Sequence, residues 1–256
     1  MPEADLALLR DAAEEAGRIA LHYFQNDPEV RDKGDGQGPV TEADLAVNAM
    51  LERDLRAARP DYGWLSEETD DTTARLTATR VFVIDPIDGT RAFIEGSANF
   101  SNALAIVDHG QVIAGVVQMP AKQRQYAAAR GWGAVLNDAP ISVTDTGRAT
   151  GADILATRPN MKPDLWPGGL PDVTRHFRSS LAYRLSLVGS GRFDGMVTLR
   201  NAWEWDIAAG ALIVTEAGGR ATDRTGAPLR FNNPHPQTAG VLAAGAGVHA
   251  DLLARL

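Results

Sequence analysis

The stretch Val81 to Phe93, VFVIDPIDGTRAF, carries the densest chemistry in the chain. Four apolar residues lead into Asp85 and Asp88, which two residues separate, and Gly89 and Thr90 follow. Such an apolar run predicts a strand covered on both faces, with Asp85 emerging at its carboxyl end, where open α/β sheets commonly hold ligands. Pro86 stiffens the turn and has no N–H to donate, while Gly89 lets the backbone come close to a ligand. Gly89 and Thr90 then open a helix whose free N–H groups can face an anion. Two carboxylates beside an anion cradle need cations between them. That set suits Mg²⁺, which takes one or two carboxylates together with water and phosphate oxygens. The same residues also suit an Asp-Pro turn whose aspartates cap a helix.

Further acids stand elsewhere in the chain. GWLSEETDD presents Glu67 and Glu68 after a short apolar run, and WEWDIAAG sets Asp206 at a helix start, two residues after Glu204. GPVTEADLAV sets Asp44 behind Thr41 in a capping-box pattern. Each of these, taken singly, also fits a cap or a helix-dipole role. His22, His109, His176, His235 and His249 share no ligand spacing, and Trp203 with Trp205 suits packing at a helix start.

Positioning such residues takes a large core, and 256 residues at 44% hydrophobic can bury one, as one domain or two closely packed halves. The chain has no cysteine, which excludes disulfides and thiolate metal sites, so any metal must sit on oxygen or histidine. The N-terminus alternates charged and apolar residues, unlike a signal peptide, and no stretch reaches the roughly 18 apolar residues of a membrane span. These features predict a cytoplasmic protein with no membrane partner. A formal charge of −8 argues against general nucleic-acid binding.

The apolar period changes repeatedly, as in a mixed α and β protein. Leu9, Ala13, Ala16, Ala20 and Phe24 predict one amphipathic helix, and Ala43, Val47, Met50, Leu51 and Leu55 another. Between them RDKGDGQGPV, residues 31–40, reads as a mobile loop. Strands are predicted at Val81 to Ile84, Asn102 to Val107 and Val112 to Gln118, the last two joined by a tight DHG turn. GADILATRPN opens a second half, so the division falls at residues 1–140 and 141–256. That half is predicted to hold helices near Ser180 to Gly189 and Trp205 to Glu216, strands in GRFDGMVTL and TAGVLAAG, and a last helix in GVHADLLARL.

Aspartyl-phosphate phosphatases of the haloacid dehalogenase type also end an apolar strand in aspartates before Gly-Thr, but one residue separates theirs. Here the second position falls on Ile87, which offers only a carbonyl. The set GPVTEAD, LSEE, DPIDGT, WDIAAG and TEAGG instead resembles the inositol monophosphatase superfamily of magnesium-dependent, lithium-sensitive phosphatases, from about Leu6 to Leu253. The resemblance implies a layered α/β/α/β/α sandwich and commonly a homodimer.

Carried over by motif, the resemblance implies that Glu67, Asp85 and the Ile87 carbonyl hold one metal and Asp85, Asp88 and Asp206 a second. Glu67 would help hold a weaker third ion, giving two to three Mg²⁺ per site. Gly89 and Thr90 would bind the phosphate, and Thr90 with Asp44 would orient the attacking water. Glu68 would only set the local field. The 31–40 loop would act as a lid, with Lys33 near the phosphate and Asp35 near the weak metal.

Substrates across the superfamily include inositol monophosphates, histidinol phosphate, fructose 1,6-bisphosphate and 3'-phosphoadenosine 5'-phosphate. RSSLAYRLSLVGSGRFD and NAWEWD look most like the 3'(2'),5'-bisphosphate nucleotidase branch. Inositol-1-monophosphatase and histidinol-phosphate phosphatase are the alternatives. On that reading Ser179, Ser180 and Arg184 approach a second phosphate or a base, and Glu204 accepts from a sugar or inositol hydroxyl. Ser180 also suits a helix cap. Ala182 and Tyr183 replace the lysine and phenylalanine usual in that branch, a departure that bears on adenine recognition. Some superfamily members regulate by binding proteins, but every metal-site side chain is present here, which favours an enzyme.

Overall fold

The computed structural model describes residues 2–34 and 38–256. Leu9, Ala13, Ala16 and Ala20 line the buried face of α1 (Pro2–Tyr23), and Ala43, Val47, Met50, Leu51 and Leu55 that of α2 (Glu42–Ala58). Thr41 caps α2 in a capping box, its own N–H donating to the Asp44 carboxylate at 2.8 Å. The glycine-rich stretch between the helices begins and ends in strands, where the sequence pattern predicts a loop. There β1 (Val30–Asp32) and β2 (Pro39–Thr41) pair antiparallel, with Val30 opposite Thr41, a β-branched pair suited to a ladder.

A seven-stranded sheet follows in sequence order: β3 (Gly63–Ser66), β4 (Arg80–Asp88), β5 (Ser101–Asp108), β6 (Gln111–Met119), β7 (Arg124–Ala129), β8 (Gly133–Leu136) and β9 (Ala139–Pro140). Only β3 and β4 run parallel, so this is a mixed sheet rather than an open parallel one. The β5–β6 turn holds His109 and Gly110 at φ 47° and 78°, as a two-residue hairpin requires. After β4 comes the short helix α3 (Thr90–Ile94).

The rest of the chain adds β10 (Asp153–Leu155), β11 (Thr174–His176), α4 (Leu181–Gly189), β12 (Gly195–Thr198), β13 (Ala202–Trp203) and α5 (Glu204–Glu216). It ends with β14 (Arg220–Thr222), β15 (Gln237–Thr238), β16 (Val241–Ala244) and α6 (Ala246–Leu253). A five-stranded sheet runs in the order β11-β10-β12-β16-β14. The layers follow from which face each strand buries. Phe82 and Ile84 of β4 face the core under α1 and α2, while Val81 and Val83 face a second core shared with Leu185 of α4 and Ile207 and Ile213 of α5. Leu155, Met196 and Ala243 of the second sheet meet that same core, and Val248 and Leu252 of α6 cover the sheet's outer face. The result is the α/β/α/β/α sandwich, with α4 and α5 in the middle. Among the described residues no helix is long and apolar enough to cross a membrane.

The largest departure from the sequence pattern lies in β4. The strand does not end at Ile84 but continues to Asp88, with Asp85 opposite Ala103 and Asp88 opposite Ser101. Three steps along β4 match two along β5, which is a bulge of one residue. In a regular strand, residues three apart point to opposite faces. The extra residue cancels that alternation, so Asp85 and Asp88 share the face that looks toward α4 and α5.

The middle layer seats closely because glycines leave room for it. A Cβ on Gly210 of α5 would lie 2.5 Å from the Leu185 Cβ, and one on Gly115 of β6 would lie 2.9 Å from the Ala209 Cα. Gly210→Val therefore forces α4 from α5 and is expected to lower unfolding stability by about 3 kcal/mol. Urea denaturation checks this, and an unchanged midpoint would show that the layer has slack.

Candidate functional site

The bulge in β4, the first turn of α5 and the residue after β3 bring acids to one place. The Glu67 N–H donates to the Ile84 carbonyl at 3.2 Å, which sets that residue beside β4. One carboxylate oxygen each from Glu67, Asp85 and Asp206 lie within 4.8 Å of one another. Asp85 is buried, and among the described residues its Oδ1 meets no hydrogen-bond donor. Burial, then repulsion from Glu67, holds the Asp85 carboxyl well above its ordinary range, and burial with Asp88 nearby does the same to Asp206. Burial also raises Asp88, but only to about 6, because the Ser180 hydroxyl and the Ala182 N–H each donate to its Oδ2 at 2.7 Å.

An orphaned carboxylate oxygen among other acids fits a hard cation held by oxygen ligands. Among the described residues this is the only group of histidine or acidic side chains with that geometry, and it contains no histidine.

A second constellation adjoins it. Asp44 is buried in the first turn of α2, and its Oδ2 accepts from the Thr41 N–H at 2.8 Å and the Thr41 hydroxyl at 2.6 Å. The Thr90 hydroxyl lies 3.2 Å from Asp44 Oδ1 and 3.1 Å from the Ile87 carbonyl. Burial raises the Asp44 carboxyl above its usual value, against the pull of its Thr41 partners. Gly89 sits at φ 100°, and a Cβ there would come within 3.1 Å of the Asn99 carbonyl, so only glycine suits the turn into α3. Glu67, Asp88, Gly89, Thr90 and Asp206 all line one cleft of about 1050 Å³.

Lys33, between β1 and β2, bonds Glu67 at this cleft. Its ammonium donates to Glu67 at 2.8 Å and to Glu68 at 2.5 Å. Glu68, raised to about 7 mainly by burial, is thus an ion-pair partner of the hairpin. The expected placement of Asp35 falls outside the described residues.

The expected specificity residues divide. Ser179 and Arg184 line the cleft, and Trp203 lines it beside them. The other two specificity residues turn inward. Ser180 is fully buried as the N-cap of α4, accepting from the Tyr183 N–H at 2.9 Å while its hydroxyl meets Asp88 and Ser101. Glu204 is fully buried too, and accepts from the N–H groups of Asn232 and Asn233 at 2.6 and 2.9 Å. Neither is free to meet a substrate, because each spends its oxygens on backbone that would otherwise be unpaired. Trp203 stacks on Trp205 with ring centres 4.7 Å apart, which is packing as predicted. Sequence reasoning missed Arg200 on the cleft wall and the Ala182 N–H on Asp88, and no local pattern marks either. Ser180→Ala removes a cap and a donor to a buried carboxylate, and is expected to cost about 2 kcal/mol in chemical denaturation. Ser179→Ala, on the cleft wall, should stay within about 0.5 kcal/mol of the parent.

The inositol monophosphatase family model matches residues 2–256. An inositol-1-monophosphatase of Rhizobium meliloti (strain 1021) is 34% identical over 73% of this chain and 73% of its own. A histidinol-phosphatase of Chlorobaculum parvum is 34% identical over 87% of this chain and 86% of its own. The crystal structure of the extragenic suppressor protein suhB from Bartonella henselae superposes with a TM-score of 0.84 at 27% identity, covering 98% of this chain and 97% of that one. The chain therefore belongs to the inositol monophosphatase family of phosphoric monoester hydrolases.

Proposed function

We propose that this protein is a magnesium-dependent phosphomonoesterase that transfers the phosphoryl group of a small phosphate ester to water. The observation that carries the reading is the buried Asp85, whose Oδ1 has no partner among the described residues, beside Glu67 and Asp206 on the cleft that Gly89 and Thr90 also line. Glu67, Asp85 and the Ile87 carbonyl would hold one ion, and Asp85, Asp88 and Asp206 another. Magnesium bound there supplies the positive charge that offsets the phosphate dianion and lowers the pKa of water. Thr90 donates its hydroxyl proton to Asp44, which leaves its lone pairs to accept from a water and orient it. The first N–H groups of α3, free of intrahelical partners, hold the phosphate oxygens.

Away from the carboxylate cluster, the cleft wall holds Arg91, Arg184 and Arg200 against Glu95. That balance favours a substrate rich in hydroxyls or carrying a second anion over one with an ammonium group. Ser180 and Glu204, which spoke for the nucleotidase branch, are occupied inside the fold. Inositol 1-phosphate is therefore the leading candidate, in keeping with the name of the Rhizobium relative. A bisphosphate such as 3'-phosphoadenosine 5'-phosphate is the second reading. Arg184 favours it, because Nε and one amino group bond the Arg178 and Ser179 carbonyls while the other amino group has no acceptor among the described residues.

Phosphate release from inositol 1-phosphate, histidinol phosphate, fructose 1,6-bisphosphate and 3'-phosphoadenosine 5'-phosphate, with and without Mg²⁺, tests the reading. Asp85→Asn should lower release at least about 100-fold. Release that ignores Mg²⁺, or full activity in Asp85→Asn, would overturn it. The raised acids add a pH dependence. They stabilise the cation-free fold only while protonated, so their contribution is present below the ordinary carboxylate range and lost as pH rises through about 6 for Asp88. Added Mg²⁺ should accordingly raise Tm more at about pH 7.5 than at about pH 5, as differential scanning fluorimetry would read.

A further inference from the structure

We propose that a buried network centred on Arg75 and Glu204 fixes the separation of Glu67 and Asp206, which makes both of them positioning residues for the cation site. The inference rests on the phosphomonoesterase reading above. Glu67 and Asp206 come from different layers, one from the segment after β3 and the other from the first turn of α5. No direct bond ties those two segments together among the described residues. Asn232 and Asn233 instead bond Glu204 at the start of α5 and Arg75, eight residues past Glu67.

Arg75 is 2% exposed and donates from all three nitrogens of its fork. Its Nε and one amino group donate to the two oxygens of Asp71 at 2.6 and 2.8 Å, which clamps the chain a few residues past Glu67. Its remaining contacts go to the Asn232 side-chain carbonyl at 2.6 Å and the Asn233 backbone carbonyl at 2.9 Å. Asn232 and Asn233 in turn give their N–H groups, and Asn233 its side-chain amide at 2.7 Å, to Glu204. Glu204 is the first residue of α5, two before Asp206. A planar fork bonded on both sides holds distance and angle together, which a point charge on a flexible stem does not. The other side of the Glu67 turn is held separately: the Ser66 hydroxyl donates to Asn48 at 2.7 Å and the Asn48 amide to Thr69 at 3.0 Å. Loss of Arg75 therefore leaves the turn attached to its own sheet but removes its bonded link to α5, so that only packing sets their separation.

The test compares Arg75→Met, Asn232→Gly and the parent by calorimetric Mg²⁺ titration, by Mg²⁺ dependence of phosphate release and by Tm. Asn232 sits at φ 61°, so glycine accepts its backbone and removes only the side-chain link to Arg75. Arg75→Met is expected to weaken Mg²⁺ binding about 10-fold and Asn232→Gly about 3-fold, as for other outer partners of metal ligands. KM for the phosphate ester should change less than the Mg²⁺ requirement. If Arg75→Met does not fold, Asn232→Gly decides alone. Lower Tm with unchanged Mg²⁺ affinity in Asn232→Gly would make the network merely structural and overturn the proposal. A parent that binds no Mg²⁺ and releases no phosphate would instead overturn the phosphomonoesterase reading, and this inference with it.

Discussion

Like charges held together in a buried place are the constraint on which the site depends. Carboxylate oxygens of Glu67, Asp85 and Asp206 within 4.8 Å of one another repel by about 3 kcal/mol per ionised pair at an effective dielectric of about 20. Asp85 Oδ1 has no donor among the described residues to relieve it. The cores on either side of the large sheet must hold the acids in place against that repulsion, and a cation reverses its sign. Strain of this kind concentrates where a protein binds or reacts.

The elements were legible because their apolar periods are local. Leu9 to Ala20 and Ala43 to Leu55 repeat at helical spacing, and Val81 to Ile84 is apolar on both faces. The bulge was not legible. Pro86 and two acids speak against a strand by propensity, so the pattern ends at Ile84. The strand continues because an irregular position excuses Pro86 from donating, while its carbonyl takes the Asn102 amide at 2.5 Å. The spacing of Asp85 and Asp88 thus pointed to the right chemistry through a different geometry, a bulged strand rather than a strand end.

Side-chain roles were legible only where the partner was near in sequence. Thr41 and Asp44, three residues apart, form the capping box that their spacing predicts. Ser180 and Asp88 are 92 residues apart, and Glu204 and Asn232 are 28 apart, so no window of sequence pairs them. Ser180 and Glu204 each stand beside a ligand motif, which is why they read as substrate contacts. In the folded chain they support the motif from behind.

The two central helices explain how the repulsion is graded. Every residue of α4 is buried, as are Ile207 to Val214 of α5, so neither helix can slide without exposing apolar surface on two sides. Both turn their N-terminal ends toward the acids, where free N–H groups and the helix dipole favour negative charge. Asp88 takes a hydroxyl and an N–H from the start of α4 and is raised only to about 6. Asp85 has no donor at Oδ1 among the described residues, and burial with Glu67 nearby holds it well above its ordinary range. Of the two acids of β4, the fold therefore satisfies Asp88, which meets the start of α4, and leaves Asp85 Oδ1 without a donor among the described residues. That unsatisfied acid lies next to Glu67 and Asp206, where a cation gains most.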